Sequence, residues 1–155
     1  MEPAPAVTID NVVDRLQIED LLTSYANAID NGDWATMVAL FTDDGVWDLS
    51  RCGGIAGTPK EVAAWVAERL TGWTVNHHYI VNRDIRINGD TATGRSYFWN
   101  VMGRPAPDGS MRFLRTGGLY FDRYRRTERG WRIAERGEEL SWFDGEWPQD
   151  VDLPS

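Results

Sequence analysis

The sequence is short of the residues that staple, anchor or electrostatically dock a chain. It has one cysteine, Cys52, which excludes an internal disulfide and fits a reducing compartment. No apolar run approaches the ~18 residues of a membrane span, so no membrane partner is expected. Met1 to Ala6 hold an acid and two prolines where a signal peptide needs basic and then apolar residues. The expected location is therefore cytoplasmic. Lysine is nearly missing, with Lys60 alone among 16 basic residues, which reads as codon bias of a GC-rich genome. The net charge is −8, which opposes the clustered cations that nucleic-acid binding requires. Histidine is scarce as well, with two residues, His77 and His78.

What is present is ordinary globular material: 155 residues, 42% hydrophobic and 26% charged. That reads as one domain over 1–155, with a core at about 8–143 and an irregular tail at 144–155. A chain of this size buries roughly 68–70% of its unfolded surface and needs no metal staple. Eight tryptophans fit either a domain lining an apolar cavity or a heavily aromatic core.

Ala6 to Asn31 reads as an amphipathic helix, with Thr8 as N-cap and Gly32 as its stop. Leu22, Ala26, Ile29 and Asp30 share one stripe of it. Asp33 to Phe41 reads as a short second helix, Asp43-Asp44-Gly45 as a turn, and Val46 to Ser50 as a short strand. Thr58-Pro59-Lys60-Glu61 is a helix start, with Thr58 as cap, Pro59 in the first turn and Glu61 completing the capping box. From Trp73 the period changes to two. Strands are expected at about Thr74–Asn82, Asp84–Ile87, Thr91–Gly103, Met111–Arg126 and Trp131–Phe143, with Asn88-Gly89-Asp90 as a tight hairpin turn. Helices followed by long antiparallel strands give an α+β fold, with helices packed on one face of a curved sheet.

Few residues are equipped for chemistry. His77 and His78 are neighbours in a strand, so they point to opposite faces and do not share a metal; no metal site is expected. Cys52 lies in a glycine-rich loop without a basic partner to lower its pKa. Gly53-Gly54-Ile55-Ala56-Gly57 lacks the ending of a phosphate-binding loop. Asp30 is more informative, since an acid on a core-facing stripe is either paired or functional; a solvated helix-end aspartate is the competing reading. Tyr25 lies five residues before it. Arg136, in the last strand, reads either as an inward cation or as one more member of a solvated stripe with Arg123, Arg125, Arg126, Arg129 and Arg132.

The order of these features resembles a known family. Asp20 to Asp33 (DLLTSYANAIDNGD), Leu40 to Asp44 (LFTDD), the Asn76 to Asn82 strand (NHHYIVN), Gly117 to Tyr120 (GGLY) and Gly130 to Ile133 (GWRI) are similar to the SnoaL-like members of the NTF2-like superfamily. The likeness is strongest to the branch of scytalone dehydratase, bile acid 7α-dehydratase and hexachlorocyclohexane dehydrochlorinase. The resemblance implies a cone-shaped α+β barrel, a curved and mostly antiparallel sheet around N-terminal helices. It implies a catalytic aspartate and histidine at Asp30 and His78, with Tyr25 and Arg136 assisting the leaving group. It also implies no cofactor, a hydrophobic small-molecule substrate and a homo-oligomer, dimer or trimer.

On that basis the expected activity is a cofactor-independent lyase, a dehydratase acting on a hydrophobic cyclic compound. A neutral imidazole with an ordinary pKa of ~6.5 is a competent base, and a carboxylate on its other nitrogen fixes the tautomer. Strand parity with His78 puts Trp47, Trp65, Phe98, Asn100, Leu114, Tyr120 and Trp142 at the substrate pocket. An isomerase or cyclase using the same dyad, and a non-catalytic binding or assembly domain, are the alternatives.

Overall fold

A computed structural model describes residues 6–148. Met1 to Pro5 and the tail beyond Pro148 lie outside the described residues, and with them the expectations made for the leader and for most of the tail. The elements run α1 (Ile9–Asp30), α2 (Trp34–Ala39), β1 (Phe41–Arg51), β2 (Ala56–Gly57), α3 (Pro59–Arg69), β3 (Val75–Asn88), β4 (Thr91–Pro105), β5 (Met111–Thr127) and β6 (Gly130–Gly145).

Helix α1 forms where the apolar stripe runs. Ile18, Leu21, Leu22, Tyr25, Ala28 and Ile29 are buried at helical spacing. Its start is held by the Thr8 backbone N–H donating to Asn11 Oδ1 at 2.9 Å. Its end is set by Gly32, whose φ of +65° a side chain would disfavour. Helix α3 begins with the expected capping box. The Thr58 N–H donates to Glu61 Oε2 at 2.9 Å, and the Glu61 N–H donates back to Thr58 Oγ1 at 3.3 Å.

The six strands form one sheet in the order β2-β1-β6-β5-β4-β3. All neighbours are antiparallel except β1 and β6, which run parallel. The second helix is shorter than expected because Phe41 pairs with Ile133 and opens β1. Asp43-Asp44-Gly45, expected as a turn, is instead an irregularity within β1, between the Phe41 and Val46 pairings. The two strands expected around Arg83 are one strand, interrupted by a bulge between Val81 and Asp84 where Asn82 takes a φ of +49°.

Bulges at these points, and two more in β6, let a long-stranded sheet curve around a single core. In β6 the extra residues are Ala134 and Ser141, because Arg123 and Tyr124 pair with Glu135 and Ile133, and Gly117 and Gly118 pair with Trp142 and Leu140. Helix α1 packs against β3 on the concave side. The convex side leaves Tyr79, Val81, Tyr97, Trp99, Phe121 and Trp142 exposed. Among the described residues no helix is long and apolar enough to cross a membrane.

Candidate active site

The concave face and α3 enclose a cavity of about 160 Å³, lined mainly by Ile29, Trp47, Leu49, Trp65, Val66, Phe98, Leu114 and Leu140. An apolar cavity of about 150 Å³ holds one benzene ring, so this open-mouthed cavity has room for a single six-membered ring. Five polar side chains also line it: Arg69 from α3, stacked on the Trp65 ring, and His78, Asn100, Thr116 and Glu138 from the sheet. His78 pairs with Asn100, and Asn100 with Thr116, so three of them form one row across β3, β4 and β5.

Asp30 is the last residue of α1, and the chain turn at Gly32 frees its carboxylate to meet β3. His78 Nδ1 lies 2.6 Å from Asp30 Oδ1, and the His78 backbone N–H donates to both carboxylate oxygens at 3.1 and 3.2 Å. The imidazole is 6% exposed and the carboxylate 23%. A carboxylate only accepts, so the proton sits on Nδ1 and Nε2 is left as the basic nitrogen. The solvated-aspartate reading of Asp30 does not describe this arrangement. His77 points the other way and packs edge-on against Tyr79.

A second polar group was not anticipated. Glu138 Oε1 accepts from the Tyr25 hydroxyl at 3.0 Å and, at 3.5 Å, from Trp47 Nε1. Burial raises the Glu138 carboxyl above the ordinary glutamate range, against the opposing pull of Arg136, His78 and these two donors. Burial, and next the neighbouring Glu138 charge, likewise keep Tyr25 protonated, so it remains a donor. Glu138 lies two positions after Arg136 on the same face of β6. That parity is its signal in the sequence, one not used above.

Arg136 is 1% exposed and lies one layer behind the cavity wall. Its Nε and Nη2 donate to Asp122 at 2.7 and 2.8 Å, and the Tyr124 hydroxyl donates to the same carboxylate at 2.7 Å. The guanidinium is held between the rings of Tyr25 and Tyr120, 3.9 and 4.3 Å from their centroids. Of the other arginines on that hairpin, Arg123, Arg125, Arg126 and Arg129 each pair with an acid.

Of the residues expected at the pocket, Trp47, Trp65, Phe98, Asn100 and Leu114 line it. Tyr25 and Arg136 do not; they stand behind Glu138. Two expectations need correction. Tyr120 is buried against Phe98 and Tyr25 rather than lining the cavity. Trp142 is 47% exposed on the outer face, because the extra residue at Ser141 reverses the parity that Leu140 keeps. Cys52 also reaches the cavity, where burial above all, and then the nearby acids, hold its thiol protonated. No cluster of three metal-ligating side chains occurs among the described residues.

The model of the SnoaL-like domain matches residues 10–137. The chain belongs to the SnoaL-like family. An uncharacterized protein of Mycobacterium tuberculosis is 33% identical over 132 residues, 85% of this chain and 88% of that one. A Novosphingobium aromaticivorans structure assigned as an aromatic ring hydroxylase superposes with a TM-score of 0.71 at 30% identity, covering 91% and 96% of the two chains. A second protein of that organism, assigned as a scytalone dehydratase, gives 0.79 at 17% identity over 95% and 97%. A hexachlorocyclohexane dehydrochlorinase gives 0.75 at 16% identity over 94% and 97%. The last two likenesses establish the architecture: this SnoaL-like domain has the NTF2-like α+β cone, and enzymes occur among its neighbours.

Proposed function

We propose that this SnoaL-like protein is a cofactor-independent lyase that removes water from a hydrophobic cyclic small molecule. The observation that carries this is the 2.6 Å contact between His78 Nδ1 and Asp30 Oδ1 at the wall of an apolar, ring-sized cavity. His78 Nε2 takes a proton from a substrate carbon. Asp30 holds the imidazole in the reactive tautomer and stabilises the imidazolium that forms. The apolar lining excludes water and strengthens both interactions. Tyr25 and Arg136 act from behind, setting the charge and position of the opposite wall. A dehydrochlorinase of the same architecture supports elimination as the reaction class.

Isomerisation by the same dyad is the second reading. It is favoured by one observation, that a second titratable group, Glu138, faces the cavity with His78 and could return the proton at another carbon. Product mass separates the two: elimination loses one water, isomerisation loses nothing. The deciding experiment assays wild-type protein, His78→Ala and Asp30→Asn on a panel of alicyclic hydroxy ketones. Loss of turnover by about 100-fold or more in both variants is expected. Full turnover in both would remove the dyad from the mechanism. A wild-type protein that binds the panel and transforms none of it would favour a carrier.

A further inference from the structure

Proton abstraction accounts for one half of an elimination, and the leaving oxygen must also receive a proton. We propose that Glu138 supplies it as general acid, and that the substrate is a β-hydroxy ketone presenting one six-membered ring to the cavity. This depends on the elimination reading above and adds the leaving group and the substrate class to it.

Three observations lead there. First, the two donors on Glu138 converge on one oxygen: Tyr25 Oη and Trp47 Nε1 both point at Oε1, and Oε2 has no hydrogen-bond partner among the described residues. A neutral carboxyl divides its work in this way, with one oxygen accepting and the other carrying the proton. Glu138 lines the same cavity as His78. Second, Arg136 lies beneath this group with Asp122 holding two of its nitrogens, while its Nη1 has no partner. Its charge is near enough to oppose the upward shift at Glu138, so it stabilises the carboxylate left when the proton departs. Third, Asn100 lines the cavity at 7% exposed and pairs with His78 across β3 and β4. Its buried Oδ1 has no hydrogen-bond partner among the described residues, so no contact within the fold fixes the amide. Its amide can donate to a ketone oxygen next to the carbon that His78 deprotonates. That contact strengthens as the enolate forms, and a carbonyl makes the neighbouring C–H acidic enough for an imidazole.

The step balances. The C–H pair becomes the new C=C bond as the proton moves to His78 Nε2. The C–O bond breaks, its pair stays on oxygen, and the Glu138 Oε2 proton completes a water molecule. The proton on His78 then returns to Glu138 through solvent, restoring both groups.

The test uses the full chain with two probes in deuterated buffer. Cyclohexanone reports α-hydrogen exchange, which needs only the base. 3-Hydroxycyclohexanone reports dehydration to the enone, which needs the acid as well. Wild-type protein is expected to accelerate both. Glu138→Gln is expected to lose dehydration by about 100-fold or more, a larger factor than it loses exchange, while His78→Ala loses both to the same extent. In wild-type protein dehydration is expected to fall on the alkaline side with the Glu138 titration while exchange does not; this readout needs no variant to fold, and a merely structural Glu138 would not produce it. Dehydration at the wild-type rate in Glu138→Gln overturns the acid role and leaves the dyad standing. Both reactions surviving in His78→Ala removes the dyad as the base, and with it the mechanism on which this proposal rests. Failure of the wild-type protein on both probes overturns the β-hydroxy ketone class and the role of Glu138 in it.

Discussion

Arg136 and Asp122 face each other across β5 and β6 as a two-pronged ion pair at 2.7 and 2.8 Å, with both side chains essentially out of solvent. Each offsets part of the desolvation penalty of the other. Asp122→Ala strands a buried guanidinium and is expected to destabilise the fold by about 3–5 kcal/mol. Replacing both together, by Arg136→Met and Asp122→Leu, is expected to cost less than either single change, because no buried charge is left alone. A double-mutant cycle in urea measures this; additive losses would show that the pair is not coupled.

Glu138 gives the fold a pH dependence of defined sign. Its folded-state pKa is raised, chiefly by burial, so the folded chain binds a proton that the unfolded chain has released. The stability this provides is full below the ordinary glutamate pKa and is lost as pH rises through the folded value. The stability of wild-type protein minus that of Glu138→Gln should therefore decline with rising pH. Equilibrium unfolding from pH 4 to 8 reads it; a flat difference would mean that folding does not move the Glu138 pKa, and a rising one that the fold favours its charged form.

Much of this was legible in the sequence, and the failures have local causes. The α3 start was readable because Thr58, Pro59 and Glu61 each satisfy a different helix-end requirement. Asp30 stood out because an acid interrupts an apolar stripe, and the resemblance then paired it with His78. Trp142 was misplaced because parity counting assumes an unbroken ladder, whereas Ser141 inserts an extra residue that leaves no mark in composition. Glu138 was passed over for a related reason: beside Gly137 and Glu139 it looks like a solvated edge, and only the burial of Tyr25 and Trp47 on other elements gives it partners. The parallel β1–β6 pairing was hidden because it joins segments about ninety residues apart.

The adjacent glycines of β5 should respond differently to alanine. A Cβ at Gly118 would lie 2.0 Å from the Glu139 carbonyl oxygen and 2.7 Å from the Phe98 ring. Relief requires β6 backbone to move at the bulge, so Gly118→Ala is expected to cost on the order of 3 kcal/mol and to disturb the cavity wall. At Gly117 the obstacle is the Trp142 ring, 2.4 Å away. That ring is half-exposed and can swing outward, so Gly117→Ala should cost about 1 kcal/mol or less while shifting tryptophan fluorescence. Equal losses at the two sites would contradict the assignment of Trp142 to the outer face.

Asp14 ties α1 to the last hairpin and should give a pH response opposite to that of Glu138. It accepts from Arg126 Nη2 at 2.7 Å and from Trp131 Nε1 at 3.0 Å. These two bonds, Arg126 first, hold its carboxyl below the ordinary aspartate value of 3.8. The folded chain thus releases this proton earlier than the unfolded chain does. The stabilisation is complete above the unfolded pKa and disappears as pH falls through the folded one. Asp14→Asn keeps an acceptor for Trp131 but loses the charge, so it should be about 1 kcal/mol less stable than wild type at pH 7. That gap should close under strongly acidic conditions, and added salt should narrow it at pH 7, since Arg126 is partly exposed. A gap that stays constant down to pH 2 would place the effect in helix packing rather than in the ion pair.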